Sequence, residues 1–287
     1  MRSLLIVNPY ASRVTPEAAE RVAEALGAAE TVYTERAGHA SELAREADAE
    51  AVVVFSGDGG FNEVLNGVRP ETTLGFVPGG GTSVLPRGLG LPRDPVAAAR
   101  ALASGSTRRI SLGRANGRRF GFAAGIGLDA ELVRRMDARG RSATGRRPGD
   151  LTFAWTAIRT LAERRVRFGP ELEVVGHGRA AFALVANADP YSYVGRLPLR
   201  LPRGARLEGG LDVLAPRVLR ARSLPGAVRY VLTGRTRLPL LVLRDRDRVE
   251  IRCDSPLPLQ LDGEDVGDVT DVVLEAERDA VTVLCGR

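Results

Sequence analysis

Apolar runs and helical periodicities alternate along the first hundred residues. Residues 4–7 form a short apolar run that ends at Asn8-Pro9, the pattern of a buried strand and its turn. Residues 16–27 carry alanine and leucine at helical spacing, with Gly27 as the stop. The same logic predicts strands at 31–34, 51–55 and 74–77 and helices at 41–48, 61–68 and 95–104. Alternating strands and helices predict βαβ units and a parallel sheet, and the unbroken apolar run 51–55 suits a strand covered on both faces. From residue 108 the texture changes. Short β-like runs at 109–112, 119–123, 172–175, 181–187, 211–214, 248–252, 257–261, 269–274 and 280–285 are separated by turn residues. Helical patterns interrupt them at 151–166 and 224–233. The expected fold is an α/β domain over 1–108, with flanking helices on a parallel sheet. A mostly antiparallel, β-sandwich-like domain follows over 109–287, its last strand free to return to the first domain.

Composition narrows the chemistry. All 41 basic residues are arginine, and the formal net charge is +6. Codon bias in a GC-rich genome accounts for the arginine, but the missing lysine has a consequence. No Walker-type or Schiff-base lysine exists, so phosphate must be held by backbone N–H groups, arginine or metal. A basic surface suits any polyanion. The positives are spread along the chain apart from a cluster at 134–147, and no aromatic platform or recognition motif points to nucleic acid. Cys253 and Cys285 lack metal spacing, and His39 and His177 are isolated, so neither pair reads as ligands. The N-terminal apolar stretch is too short for a signal-peptide core, and no run reaches the length of a membrane span. The expectation is a reduced, cytoplasmic protein.

Two glycine-rich turns follow predicted parallel strands. The first is Ser56-Gly57-Asp58-Gly59-Gly60-Phe61-Asn62-Glu63, leading into a helix whose free N–H groups suit a phosphate. An aspartate there would repel phosphate unless Mg²⁺ lay between them, so Asp58 suggests a metal–nucleotide complex; a plain strand–turn–helix with a solvated Asp is the alternative. The second is Pro78-Gly79-Gly80-Gly81-Thr82-Ser83. Two such turns at strand ends can face one crevice. Fingerprints of dinucleotide oxidoreductases, P-loop NTPases and α/β-hydrolases are missing. Two further segments stand out in the second half, Gly125-Ile126-Gly127-Leu128-Asp129 and Leu259-Gln260-Leu261-Asp262-Gly263-Glu264. Asp-Gly is a common hairpin turn, and also a way of presenting a carboxylate at a hairpin tip.

Together, in order, these segments resemble the diacylglycerol kinase catalytic family. That group includes bacterial lipid kinases, is similar to sphingosine kinases, and is more distantly like NAD kinases and phosphofructokinases. Asn8-Pro9, Asn62-Glu63, Asn66-Gly67 and Leu89-Gly90-Leu91-Pro92 fit the same order. The resemblance implies an ATP-binding first domain and a lipid-substrate second domain. It assigns ATP contacts to Asn8, Thr34, Ser56, Gly57, Asp58, Gly59, Gly60, Asn62, Glu63, Gly81 and Thr82, with Asp58 acting through Mg²⁺. It implies Glu264 as catalytic base, with Asp262 the second choice, and a metal loop at Glu208 and Asp212, where glutamate stands for the usual aspartate. Two departures are visible. Ser56 and Gly60 replace the outer residues of the usual Gly-Gly-Asp-Gly-Thr, and Ser83-Val84 replaces Gly-Asn.

The implied activity is phosphorylation of a lipid hydroxyl, diacylglycerol first, reached from the membrane surface. Alternatives are a sphingosine-type kinase, an NAD-kinase-like enzyme and a non-catalytic nucleotide or lipid binder. The arginines at 134–147 suit anionic headgroups, and the helix 151–166 suits either an interface or the protein's own sheet. The oligomeric state is open, a homodimer included.

Overall fold

The computed structural model describes residues 2–28, 30–138, 150–163 and 165–286, without the side chains of 150–154, 158 and 194. Arg139, Arg141, Arg146 and Arg147 of the expected basic cluster, and the side chains of Leu151, Phe153 and Ile158, lie outside the described residues. The chain divides into two compact units. The first holds residues 1–112 and 278–287, and the second holds most of 113–277.

In the first unit the chain runs β1 (Ser3–Val7), α1 (Pro16–Leu26), β2 (Glu30–Tyr33), α2 (His39–Glu46), β3 (Ala51–Ser56), α3 (Asp58–Gly67), β4 (Thr73–Pro78), α4 (Val84–Gly88) and α5 (Pro95–Ser104). Strands β2, β1, β3 and β4 lie side by side and parallel. Strand order reverses at β1, which has β2 on one side and β3 on the other. Beyond β4 the sheet is extended, again parallel, by residues near Val283, opposite Leu74. Every residue of β1 and β3 is buried, as a parallel strand with both faces covered requires. Phe61 meets Phe76 edge to face, with centroids 5.3 Å apart. Each such buried aromatic or aliphatic side chain contributes about 1.5–3 kcal/mol. Local signals fix the helix ends. Thr15 caps α1 by accepting from the Ala18 amide, and Gly27 closes it at φ 65°. Asp94 caps α5 at the Ala97 amide.

The second unit is strand-rich and antiparallel. It contains β5 (Ser106–Ala115) from Gly113 on, β6 (Arg118–Phe120), β7 (Ala123–Ile126), α6 (Leu128–Ala138), α7 (Asp150–Glu163), β8 (Arg167–Phe168), β9 (Leu172–Val174), β10 (Gly178–Ala180), β11 (Ala183–Ala186), β12 (Ser192–Val194) and β13 (Leu197–Leu199). Then come β14 (Leu211–Pro216), β15 (Leu219–Arg220), α8 (Leu224–Thr233), β16 (Leu240–Arg246), β17 (Arg248–Leu261) and β18 (Glu264–Cys285), the last through Glu277. Its main sheet has the order β16-β14-β11-β7-β17-β18. The core gathers Ile126, Val185, Val213, Ile251, Leu259 and Leu274 from successive strands. Among the described residues no helix is long and apolar enough to cross a membrane.

Three expectations are corrected. Residues 128–138 form a helix, α6, which its charged sequence did not announce. The runs 248–252 and 257–261 are one strand, β17, with its register shifted between Arg252 and Leu257, where Pro256 cannot donate to the ladder. The runs 269–274 and 280–285 likewise belong to the single long strand β18.

Candidate functional site

In the first unit the two glycine turns meet. They follow the carboxyl ends of β3 and β4, adjacent parallel strands, and β3 borders β1, where strand order reverses; the crevice outside such strand ends is the usual place for a ligand in an open α/β sheet. Asn8, at the end of β1, donates from Nδ2 to Ser56 Oγ at 3.1 Å, while its backbone amide donates to the Phe55 carbonyl. The Gly79 amide donates to the Ser56 carbonyl at 2.7 Å. A β-carbon on Gly80 would fall 2.9 Å from the Gly57 α-carbon, so the two turns touch backbone to backbone and only glycine allows it. Asp58, in the first turn of α3, accepts the Val84 amide on Oδ1 at 2.7 Å and so ties the α3 start to the α4 start. Ser83 holds a left-handed backbone (φ 47°), and its hydroxyl donates to the Gly80 carbonyl. Thr34 lies just past β2, its amide donating to the Val7 carbonyl, and is buried. Gly59 and Gly60 are inside α3 rather than in a loop before it. A β-carbon on Gly60 would lie 2.2 Å from Ser56 Oγ, so the residues at 56 and 60 compete for one volume.

Two residues of the expected nucleotide set are committed to packing. Glu63 accepts the Ala40 amide at 3.2 Å, which caps the start of α2. Asn62 is buried and accepts from Asn66 Nδ2 on both its carbonyl and its side-chain oxygen. Thr82 is half-buried in the second turn, and Gly81 is exposed, with open space around a built β-carbon.

In the second unit Asp262 and Gly263 form the two-residue link between β17 and β18, with φ of 50° and 80°. Two positive φ values make a type I′ hairpin turn, which Asp-Gly favours. Glu264 is the first residue beyond it and pairs with Arg118 at 3.3 Å, its side chain 26% exposed. A half-exposed ion pair of this length is worth about 0–1 kcal/mol. Asp262, the second choice for a base, serves as an anchor. It is buried and accepts the amides of Gly121, Phe122 and Ala123 at 2.6, 2.9 and 3.1 Å. A carboxylate holding three backbone donors is stabilised as the anion and fixes the hairpin to β7.

Beneath the turn lies a polar network that the sequence did not reveal. Asp129 Oδ2 accepts from the Tyr191 hydroxyl at 2.7 Å and from Gln260 Nε2 at 2.8 Å. Gln260 Nε2 also donates to the Tyr191 oxygen at 2.9 Å, and Gln260 Oε1 accepts the Gly263 amide at 2.8 Å. Burial pushes the Asp129 carboxyl above its usual range, against the opposing effect of its two donors. Burial, with the Asp129 charge second, pushes the Tyr191 phenol well up. Gln260 stood in the quoted hairpin segment without a role, and nothing in the sequence around Tyr191 marked it.

Residues 2–115 match the family described as "Diacylglycerol kinase catalytic domain". This segment is similar to that catalytic domain, and it makes up less than half of the chain. Among the similar curated proteins, a diacylglycerol kinase of Bacillus subtilis is 33% identical over 144 residues, 46% of this chain and 48% of that one. A diacylglycerol kinase of Staphylococcus epidermidis is 32% identical over 130 residues, 42% and 41% of the two chains. The chain thus spans about half the length of these relatives. A crystal structure of a diacylglycerol kinase from Bacillus anthracis superposes with a TM-score of 0.74 at 23% identity, covering 99% of this chain and 97% of that one, which supports the fold.

The kinase family's structural metal loop does not carry over. Asp212 is buried, and its two oxygens accept from Arg244 Nη1 at 2.5 Å and from the Asp245 amide at 2.8 Å. Glu208 is exposed at the surface. Among the described residues no group of three acidic, histidine or cysteine side chains could hold a metal. A guanidinium closes the expected metal loop, and Glu208 and Asp212 do not fit a cation. The fit at Asp58 is different. Magnesium that arrives with a nucleotide needs only one or two carboxylates beside the phosphate oxygens. Asp58, between two glycine turns, offers that donor.

Proposed function

We propose that this chain is an ATP-dependent lipid kinase, which phosphorylates a lipid hydroxyl, with diacylglycerol to phosphatidic acid as the first reaction to test. The observation that carries the reading is the backbone contact of Gly57 with Gly80 at the carboxyl ends of parallel strands, with Asp58 bridging to the Val84 amide. Such a cradle offers phosphate oxygens main-chain N–H groups without needing a lysine.

Phosphoryl transfer needs positioning and charge stabilisation more than covalent chemistry by the protein. ATP binds over the two turns, with Asn8, Thr34, Ser56 and Thr82 at their margins. Mg²⁺ held by Asp58 and the phosphates would neutralise developing charge. Glu264 takes the proton from the attacking lipid hydroxyl. The substrate is met at the membrane surface, on the cytoplasmic side.

The test is transfer of labelled γ-phosphate from ATP to a panel of diacylglycerol, sphingosine and NAD, with the product identified. Labelled phosphatidic acid supports the reading. Labelled NAD alone, or ATP binding without transfer to any acceptor, overturns it. Glu264→Gln should abolish transfer while ATP still binds, and full activity in that variant removes Glu264 from the role.

A further inference from the structure

The Gly125–Asp129 segment has no part in the proposed chemistry, yet its carboxylate is joined by two hydrogen bonds to the turn that carries Glu264. We propose that Asp129, with Tyr191 and Gln260, is a positioning device that sets the Gly263–Glu264 turn, and that its hydrogen-bond polarity, rather than its volume, is what catalysis requires. The inference rests on Glu264 being the base.

Gln260 is 2% exposed and works in two directions. Its amide nitrogen donates to Asp129 and Tyr191, which forces its oxygen toward the Gly263 amide. An amide read backwards would face Asp129 with an oxygen and Gly263 with a nitrogen, and both contacts would be lost. Asp129, which is acceptor-only when ionised, therefore selects the orientation of Gln260. Gly125 makes room for the device. A β-carbon there would lie 2.1 Å from Asp129 Oδ2 and 3.0 Å from Gln260 Nε2. Asp262 anchors the other side of the same turn through the three amides of 121–123. Glu264 thus leaves a turn whose two central residues are each fixed by a buried polar group.

The test reverses polarity at nearly constant volume, and the double variant keeps the charge. Gln260→Glu alone sets a carboxylate oxygen against Asp129 Oδ2 with no donor between them. Asp129→Asn with Gln260→Glu reverses the whole network: the new amide donates to the new carboxylate, whose second oxygen still accepts from Gly263. Two quantities are read on the full chain: kcat and KM for ATP with diacylglycerol, and hydrogen exchange of the Gly263 amide. Gln260→Glu should lower kcat by about 10- to 100-fold with KM for ATP within about two-fold, because a base displaced by ~1 Å is that costly. Gly263 exchange should quicken by about ten-fold or more as repulsion from Asp129 draws its acceptor away. The double variant should return both to within about three-fold of the parent, as coupled neighbours do. Tyr191→Phe, which keeps the ring, serves as a second probe and should move both readouts in the same direction. A double variant no better than the single one overturns the proposal, as does unchanged exchange in both single variants. If Gly263 protection is lost and rescued while kcat stays flat, the turn is positioned as described, but Glu264 is not the base.

Discussion

Ser56 and Gly60 depart from the family's usual Gly-Gly-Asp-Gly-Thr, and the structure makes the two departures one event. The perturbation to try is Gly60→Thr, alone and with Ser56→Gly. Alone, the new β-carbon falls 2.2 Å from Ser56 Oγ and 2.7 Å from Ser56 Cβ, where ordinary contact begins at 3.4 Å. Rotating the hydroxyl away relieves the first overlap but not the second, because the Ser56 β-carbon is fixed to the last residue of a fully buried strand. Overpacking of this kind costs about 1–3 kcal/mol. Ser56→Gly alone loses the hydrogen bond from Asn8, about 1 kcal/mol net, and adds roughly 0.5–1 kcal/mol for glycine in a strand. In the double variant the overlap disappears, and the new hydroxyl enters the space the serine left. The double variant should lie within about 1 kcal/mol of the parent, a coupling on the order of 2 kcal/mol. Hydrogen exchange of peptides covering β3 and α3, followed through urea titration, reads this locally. Strict additivity of the two single changes would refute the shared-volume argument, and so would a Gly60→Thr chain as stable as the parent.

Four more outcomes follow from the second unit. Glu277 is held below its usual carboxyl range chiefly by its hydrogen bond to Arg119, with Arg114 adding. A depressed value means stability present above the unfolded pKa of about 4.5 and lost as pH falls through the folded value. Glu277→Gln should therefore flatten the acid limb of a pH–stability curve, and an unchanged limb would dismiss the clamp. Arg244→Ala leaves the buried Asp212 without its guanidinium and should lower stability by about 1–3 kcal/mol, discounted because Arg244 is half-exposed. Chelator added to the parent chain should leave its unfolding midpoint unmoved, and a large shift would restore a metal to that loop. Burial, with Asp271 and Asp254 adding, pushes the Cys253 thiol up to about 11, so it should react with a disulfide reagent at pH 8 far more slowly than after unfolding.

The first unit was legible because its strands are continuous apolar runs and its helices show apolar residues at helical spacing, with Gly27 ending α1 where it was read as a stop. The glycine turns were legible as turns, but not as the first residues of a helix. Local patterns do not tell whether Gly59 is helical when the deciding contact is Asp58 reaching a backbone amide 26 residues on. Glu63 looked like a ligand residue because it stands in the motif. Its partner, the start of α2, is a tertiary neighbour that no spacing reveals. Residues 128–138 hid as a helix because only Ala130 is buried, leaving almost no apolar stripe to read. The long strands β17 and β18 were broken in the reading at Asp254–Pro256 and around Asp279. In the structure the first break is a bulge, and the second is a left-handed residue inside a continuous strand. Asp212 had the right residue type for a cation, and only the approach of Arg244 from another strand showed what holds it.

Residues 278–285 supply a strand of the unit that otherwise comprises the first 112 residues, with Val283 beside Leu74 and the Leu284 side chain 3.2 Å from the β-carbon position of Gly75. A ribosome making this chain releases β4 with one flank bare and must then produce residues 113–277 before that flank is covered. An uncovered apolar flank is a template for wrong pairing. The antiparallel unit is thus able to reach its native form on the emerging chain while the earlier-made first unit waits, and a fragment cut at residue 115, where the family match ends, would carry the two glycine turns on an open, aggregation-prone sheet.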